Sequence, residues 1–153
     1  MQLIRYESKF SDSILALHRS AIEGFCLGMS QLQDEADLMA IDLTYLNSGG
    51  EFLFGFIDDQ LVAMGGFKRL TDSRAELKRM RIQRDCQGLG YGSIILRALE
   101  SRALEAGVNT VCLETAKRRP LTLAFYAKHG YREEGVGFYG SVETVKFSKP
   151  LIS

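Results

Sequence analysis

A cluster of alternate glycines directly before an apolar helix pattern constrains this chain more than any other feature. Residues 84–100 read RDCQGLGYGSIILRALE, with Gly88, Gly90 and Gly92 at alternate positions. Glycine costs about 0.5–1 kcal/mol relative to alanine in regular structure, so such a cluster indicates that something approaches the backbone closely. Main-chain amides and a helix N-terminus together stabilise anions, so the segment predicts a phosphate-binding loop that opens a helix.

Two common phosphate-binding motifs are excluded by the residues around these glycines. A Walker P-loop needs a lysine after its last glycine, and no lysine follows Gly88, Gly90 or Gly92. A dinucleotide fingerprint has the spacing G-x-G-x-x-G straight after a strand. This chain has G-x-G-x-G instead, and Gly88 comes six positions after Ile82. The remaining interpretations are a pyrophosphate held by main-chain amides at the helix start, and a flexible loop without a ligand.

The hydrophobic pattern predicts one mixed α/β domain over residues 1–153. Alternating apolar residues predict strands, and apolar residues at steps of three and four predict helices. The predicted order begins with a strand at 3–6, helices at 11–25 and 35–50, and a hairpin joined at 58–60. A strand at 74–83, a helix at 91–106, a strand at 109–115, a helix at 120–129 and a last strand or two ending at 142–151 follow. The prediction of the second helix depends on the apolar residues Leu38, Ile41, Tyr45 and Leu46, which would share one face of that helix.

The composition argues against several kinds of partner and cofactor. Nineteen basic and nineteen acidic residues give a formal net charge of zero, whereas nucleic-acid-binding domains usually carry a basic excess. Three cysteines without a C-x-x-C pair, and only two histidines, predict neither a disulfide framework nor a metal site. No apolar run reaches ~18 residues, so we expect no membrane span and a cytoplasmic protein.

Two segments carry a resemblance to a known family. Residues 75–100 contain a strand, a short loop, the pattern Q-x-x-G-x-G at Gln87, Gly90 and Gly92, and a long helix. Residues 111–135 continue with a strand, a helix and the run FYAKHGY. Both segments resemble the GNAT superfamily of acyl-CoA-dependent N-acyltransferases, which has Q/R-x-x-G-x-G/A and LY-x-x-x-GF in these places. The similarity extends more loosely to both ends of the chain.

This resemblance implies an α/β domain with a mostly antiparallel twisted sheet that splays between two central strands and carries about four flanking helices. It also implies that acetyl-CoA lies in the gap, with its pantetheine amides paired to the main chain of β-strand residues 80–82 like an added strand. The diphosphate would lie on the amides of residues 87–92, and no metal is implied. The implied contacts of acetyl-CoA are Met80, Arg81, Ile82, Gln87, Gly88, Leu89, Gly90, Tyr91, Gly92, Arg119 and Tyr126.

The resemblance further implies acetyl transfer to a primary amine by direct attack on the thioester. Tyr126 occupies the position of a tyrosine that protonates the departing thiolate in related enzymes, and a packed aromatic without that role is the alternative. An alkyl ammonium titrates near about 10.4, so a base or water chain must first remove its proton. Glu76 resembles such a base, and Glu114 is a second candidate. For each, the alternative is a carboxylate at a strand end that lies in solvent or in a salt bridge, and this alternative is favoured for Glu114. An acyl-cysteine route through Cys86 or Cys112 lacks a histidine nearby in the sequence.

The sequence departs from the family at Arg119, where relatives commonly have an asparagine that caps the last helix. Arginine has no acceptor for that role, although Pro120 can fix the helix start. Arg119, Lys117 or Arg118 can instead reach the 3′-phosphate of CoA, and a solvated basic loop is the alternative.

The sequence leaves the acceptor amine unnamed. Its specificity is expected to come from residues 24–37 and 133–143. These segments supply the acidic and aromatic residues Phe25, Asp34, Glu35, Asp37, Phe138 and Tyr139. A surface loop with ordinary charges is the favoured alternative. The expected partners are acetyl-CoA and an amine, with no nucleic acid and no membrane. An acyl-CoA-binding regulatory module without turnover is the alternative function, and the oligomeric state, including a homodimer, stays open.

Overall fold

Seven strands, three α-helices, a short π-helix and two 3₁₀-helices, at Ser8–Phe10 and Arg84–Cys86, form the regular structure of the described residues. The structure, a computed structural model, describes residues 1–22 and 35–152. The strands are β1 (Gln2–Arg5), β2 (Glu51–Ile57), β3 (Gln60–Arg69), β4 (Arg74–Ile82), β5 (Thr110–Ala116), β6 (Arg132–Tyr139) and β7 (Val142–Pro150). The helices are α1 (Ser11–Ile22), the π-helix (Asp42–Leu46), α2 (Tyr91–Glu105) and α3 (Pro120–Lys128). None of the helices within the described residues combines the length and hydropathy needed to span a bilayer.

All seven strands belong to one sheet with the order β1-β2-β3-β4-β5-β7-β6. The pairs β1/β2, β2/β3, β3/β4, β5/β7 and β6/β7 are antiparallel, and β4/β5 is parallel. Asp58 and Asp59 close the β2–β3 hairpin with φ of +49° and +65°, the left-handed conformation that tight hairpin turns require. The predicted fold class, a mostly antiparallel mixed α/β sheet that splays between two central strands, is confirmed.

The sheet carries a hydrophobic core on each face. On one face, Ile95, Leu96 and Leu99 of α2 pack against buried residues of the central strands. On the other face, Ile14 and Leu17 of α1 pack with the segment around the π-helix. Strand β2 reads EFLFGFI, and its successive residues point to opposite faces. Its unbroken apolar run is therefore explained by burial on both sides of the sheet.

The prediction of an α-helix over residues 35–50 is wrong, although most of the side chains that it predicts to be buried are buried. Leu38, Ile41 and Tyr45 are buried as expected. However, residues 36–39 form turns, and the next segment is a π-helix in which the amide of Asn47 bonds the carbonyl of Asp42 at 2.7 Å. A stripe at steps of three and four identifies the buried side chains, but it does not decide whether backbone bonds close over four residues or five.

The sequence does not decide whether a strand precedes β7, since it predicts a last strand or two and links residues 133–143 to acceptor specificity. Strand β6 forms the edge of the sheet, where it pairs with β7 alone. Nearly all of its residues are exposed, so no buried face imposes an apolar alternation on them. Gly135 and Gly137 also lower the strand propensity of the segment.

Candidate active site

The parallel pair β4/β5 separates after three residues and leaves a cleft in the middle of the sheet. The paired positions run from Arg74↔Thr110 to Glu76↔Cys112. Beyond them β4 stays paired with β3 as far as Ile82, and β5 stays paired with β7 as far as Ala116. A cavity of about 850 Å³ occupies the opening. Its walls therefore include main-chain edges that no neighbouring strand covers.

The glycine-rich loop lies at the open end of this cleft and leads directly into α2. Gly88 and Gly90 have φ of +77° and +91°, and Gly90 is the N-cap of the helix. A Cβ atom at either position would meet no protein atom within 4 Å, so the backbone conformation rather than crowding favours glycine there. The first amides of α2 consequently face the cavity without side chains in front of them, which is a geometry that can hold an anion.

Gln87 ties this loop to the end of β4. Its side-chain Nε2 donates a hydrogen bond to the carbonyl of Ile82 at 3.1 Å. The carbonyl of Met80 similarly accepts a bond from Arg81 Nη1 at 3.0 Å. Each of these carbonyl oxygens has two lone pairs, so each retains one acceptor position for a ligand lying along the strand.

Tyr126 projects from α3 into the same cavity. Its side chain is 6% exposed and packs edge-on against the rings of Phe125 and Tyr131. Its hydroxyl makes no hydrogen bond to any residue in the described ranges. Burial raises the pKa of Tyr126 to about 12, although the guanidinium groups of Arg81 and Arg119 oppose that rise. Tyr126 is therefore a neutral phenol at physiological pH, with positive charge nearby to stabilise its anion.

Helix α3 begins without a side-chain cap. Arg119 is its N-cap residue and makes no capping bond, while Pro120 occupies the first turn. This matches the expectation that arginine cannot replace the asparagine of relatives as a cap. Arg119 also lines the cavity beside Tyr126.

A serine and a histidine form a hydrogen-bonded pair beside the glycine-rich loop, which no sequence pattern predicts. Ser93, in the first turn of α2, lies with its Oγ 2.8 Å from Nε2 of His129. Nδ1 of His129 lies 2.8 Å from the carbonyl oxygen of Phe125. A carbonyl only accepts, so Nδ1 carries the proton and Nε2 accepts from the serine hydroxyl. The two residues are 36 positions apart, and no local pattern connects them.

Charged side chains line the opposite wall, where β4 packs against α1. Arg79 has φ of +59° and marks a bulge in β4, because the pairing with β3 shifts register there. Its guanidinium forms a bidentate ion pair with Asp37, at 2.9 Å and 2.6 Å. Glu35 is similarly paired with Arg19, at 3.3 Å and 3.0 Å. Glu35 and Asp37, two of the three acidic residues predicted to attract a cationic amine, therefore already have cationic partners.

His18 of α1 lies behind Arg81 on this wall. Arg81 Nε donates to Nδ1 of His18 at 3.2 Å, so the histidine proton is on Nε2. Nε2 lies 3.8 Å from Glu35 Oε1. Burial lowers the pKa of His18 to about 4, and the charges of Arg81 and Arg79 act in the same direction. The imidazole is neutral at physiological pH.

The two carboxylates considered as bases lie at different places on the cavity wall. Glu76 is the last β4 residue paired with β5, so it stands at the apex of the fork, with Lys78 Nζ 3.9 Å from its Oε1. Glu114 lies further along β5, where its Oε2 accepts a short hydrogen bond from the hydroxyl of Thr144. Only Glu76 marks the point where the strands separate.

The structure brings nearly all of the predicted site residues to one cavity. The predicted residues that line it are Glu76, Met80, Arg81, Ile82, Gln87, Gly88, Gly90, Tyr91, Gly92, Arg119 and Tyr126. Leu89 does not line it, and its side chain is 63% exposed. Cys86, Glu114 and Tyr139 also line the cavity, whereas Cys112 is buried and Phe138 is exposed. Asp34, Phe25 and the rest of residues 24–34 lie outside the described residues.

The chain that forms this cavity matches a protein-family model and several curated proteins. The model of a family described as acetyltransferase (GNAT) family matches residues 16–131. The probable N-acetyltransferase camello of Xenopus tropicalis is 29% identical over 103 residues, covering 65% of this chain and 47% of that protein. The chain spans between 47% and 62% of the length of the curated relatives it matches.

Solved structures agree with this chain over nearly its whole length. An acetyltransferase of the GNAT family from Staphylococcus aureus Mu50 superimposes with a TM-score of 0.87 and 22% identity, covering 99% of both chains. The PaiA N-acetyltransferase of Thermoplasma acidophilum, solved in complex with coenzyme A, gives a TM-score of 0.80 at 16% identity, covering 98% of this chain and 99% of that one. At these identities the likeness establishes the fold.

Proposed function

This chain belongs to the acetyltransferase (GNAT) family, and from that premise we propose that it transfers an acetyl group from acetyl-CoA to the primary amine of a small molecule or peptide. The observation that carries the proposal is the continuity of the cleft. The fork between β4 and β5 opens without interruption onto the glycine-rich start of α2. A long cofactor with a diphosphate at one end and an acyl thioester at the other suits this shape.

In this proposal, the chain's own backbone provides most of the cofactor contacts. The amides from Gly88 to Gly92 bind the diphosphate, because the helix N-terminus offers unsatisfied donors and about half a positive charge. The uncovered main chain of β4 at Met80 and Ile82 pairs with the pantetheine amides. Arg119, at the start of α3, reaches phosphate oxygens near the mouth. Leu89 contributes through its main chain only.

The proposed reaction is a direct attack on the thioester. The acceptor enters as an ammonium and loses a proton to Glu76 or to a water held by it. The amine nitrogen then forms a bond to the acetyl carbonyl carbon, and the carbon–sulfur bond breaks. The Tyr126 hydroxyl donates its proton to the departing sulfur, and the tyrosine recovers a proton from the nitrogen that becomes the amide. One acetamide, one CoA thiol and one released proton result.

A route through an acyl-cysteine is disfavoured by the positions of the cysteines. Burial raises the pKa of the Cys112 thiol, so little of it is the nucleophilic thiolate at neutral pH. Cys86 lines the cavity next to Gln87, at the end proposed for the diphosphate and not for the thioester. Direct attack requires only positioning and polarisation of the reactants.

A ligand panel followed by a thiol-release assay tests the proposal. We expect acetyl-CoA and CoA to raise the melting temperature by several degrees, since saturation at ~100 times Kd adds about 2.7 kcal/mol. NAD and ATP at matched concentrations should have little effect. A panel of primary amines with acetyl-CoA should then release CoA thiol. Stabilisation by ATP or NAD but not by CoA would overturn the cofactor assignment, and CoA binding without turnover on any amine would identify a binding module.

A further inference from the structure

Arg81 is a cavity-lining guanidinium that has no carboxylate partner among the described residues. Its Nε donates to the neutral imidazole of His18, and its Nη1 donates to the main-chain carbonyl of Met80. Its Nη2 makes no hydrogen bond within residues 1–22 and 35–152. Arginine is rarely found deeply placed without an anion, because desolvating a charge is unfavourable unless it is paired.

The carboxylates that could have neutralised Arg81 are already engaged. Asp37 faces Arg79 through two hydrogen bonds, and Tyr45 donates a third to the same carboxylate. Glu35 faces Arg19 through two more. Among the described residues, Arg81 is therefore left without a hydrogen-bonded carboxylate.

Arg81 keeps its charge despite its surroundings. Burial, helped by the positive charges of Arg79 and Arg119, lowers the pKa of Arg81 to about 10, so it remains protonated at neutral pH. His18 cannot supply a negative charge, and as the Nε2–H tautomer it holds the guanidinium in a fixed orientation. A preorganised guanidinium whose Nη2 has no hydrogen bond to the described residues can donate charge-assisted N–H···O bonds to a carboxylate.

We propose that the acceptor is an amine that also carries a carboxylate, and that this carboxylate binds Arg81. The inference rests on the proposed function, since it names the acceptor of that reaction. The diphosphate is an unsuitable partner, because the loop that would bind it lies beyond Ile82 at the open end of the cleft. Arg81 lines the same cavity as Glu76 and Tyr126, the groups proposed to act on the amine and on the thioester. A short separation between amine and carboxylate, as in an α- or β-amino acid, therefore suits the site.

The test compares amino acids with their amides as acceptors. Glycine and glycinamide, and β-alanine and β-alaninamide, differ only in the charge of the carboxyl group. The amide has the more easily deprotonated amine, so a preference for the acid cannot arise from amine basicity. We expect kcat/KM for the preferred acid, found with a panel of amino acids, to exceed that for its amide by at least about 100-fold. Arg81→Gln should reduce this ratio to near unity, and Arg81→Lys should restore part of it.

The control is Arg97→Gln, which removes an exposed guanidinium from α2 outside the cavity and should leave the ratio unchanged. CoA affinity, measured by calorimetry for each variant, reports whether the fold and the cofactor site are intact. A wild-type protein that binds CoA and acetylates amides or simple amines as well as acids would overturn the inference alone. A wild-type protein that neither binds CoA nor acetylates any amine would instead overturn the proposed function.

Discussion

Arg79 and Asp37 form a bidentate ion pair that ties the segment before the π-helix to the bulge in β4. The Nε–Oδ2 and Nη2–Oδ1 distances are 2.9 Å and 2.6 Å, and both side chains are largely buried. Burial alone would raise the pKa of Asp37, but hydrogen bonds from Arg79 and Tyr45 hold it below its usual range. Because Arg79 has a positive φ, the pair also stabilises a backbone conformation that non-glycine residues rarely adopt.

Replacing the charge of Asp37 should therefore be costly. We expect Asp37→Asn to lower the free energy of unfolding by about 3 kcal/mol, because it leaves a buried guanidinium without its counter-ion. Urea denaturation at neutral pH measures this. The control is Glu134→Gln, which breaks the more exposed ion pair with Arg74 and should cost less than about 1 kcal/mol. Equal losses in the two variants would show that the Arg79–Asp37 pair contributes little.

Gly90 and Gly107 form a matched pair for testing the phosphate-binding role of the loop. Substituting either one strains the backbone, but only Gly90 lies in that loop. Both have φ near +90°, and a Cβ at either would meet no protein atom within 4 Å. Alanine at each should cost about 1 kcal/mol of stability through the left-handed backbone. Only Gly90→Ala should also weaken CoA binding, by at least about tenfold or 1.4 kcal/mol, because its Cβ enters the space proposed for the diphosphate. Calorimetric titration with CoA that shows no difference between the two variants would contradict this.

Glu76 and Glu114 can be distinguished as bases by the pH dependence of activity. Glu76→Gln should lower kcat/KM by about 100-fold near pH 7 and by less at high pH, where the acceptor amine loses its proton without help. Glu114→Gln should leave the shape of the profile unchanged, since Glu114 is bonded to Thr144 away from the apex of the fork. Parallel pH profiles for wild type and Glu76→Gln would exclude Glu76 as the base.

The parts of this molecule that could be predicted from sequence are those determined by local backbone. The helix from Tyr91 ends where expected, with Gly107 at φ +88° beyond its last turn. The glycines at 88 and 90 have the left-handed conformations that only glycine adopts readily. Pro120 begins α3 as its fixed φ requires. In each case, the property that shapes the chain belongs to a single residue or to its immediate neighbours.

The polar arrangement of the site could not be predicted in this way. His18 and Arg81 are 63 positions apart, and Arg79 and Asp37 are 42 apart, so only the packing of α1 and residues 35–46 against β4 brings them together. The bulge at Arg79 carries no glycine to indicate a positive φ. The residue type of Asp37 predicts attraction of a cationic substrate, whereas Arg79 of the chain itself is bonded to that carboxylate.

Tyr126 and Tyr131 provide a matched pair for testing general acid catalysis. Their rings are in contact, with centroids 5.6 Å apart, but the Tyr131 hydroxyl donates to Glu100 and does not line the cavity. Tyr126→Phe should lower kcat by about 10²- to 10⁴-fold while changing the Kd for CoA little, because only the departing sulfur needs the proton. Tyr131→Phe should cost about 1 kcal/mol of stability and leave kcat close to that of wild type. Equal kcat values for wild type and Tyr126→Phe would remove the hydroxyl from the mechanism.

His18 makes the stability of the fold depend on pH in a definite direction. Its pKa falls from 6.5 to about 4 on folding, mainly through burial. Between these values the unfolded chain binds a proton that the folded chain does not, so stability decreases as the pH falls through this window. From pH 7 to pH 5 this linkage amounts to about 2 kcal/mol. In His18→Asn, the side-chain oxygen can still accept a hydrogen bond from Arg81, but no group titrates at this position. The free energy of unfolding, measured by urea denaturation at pH 7 and pH 5, should therefore decrease by about 2 kcal/mol less in the variant than in wild type. The same decrease in wild type and variant would mean that other groups carry it.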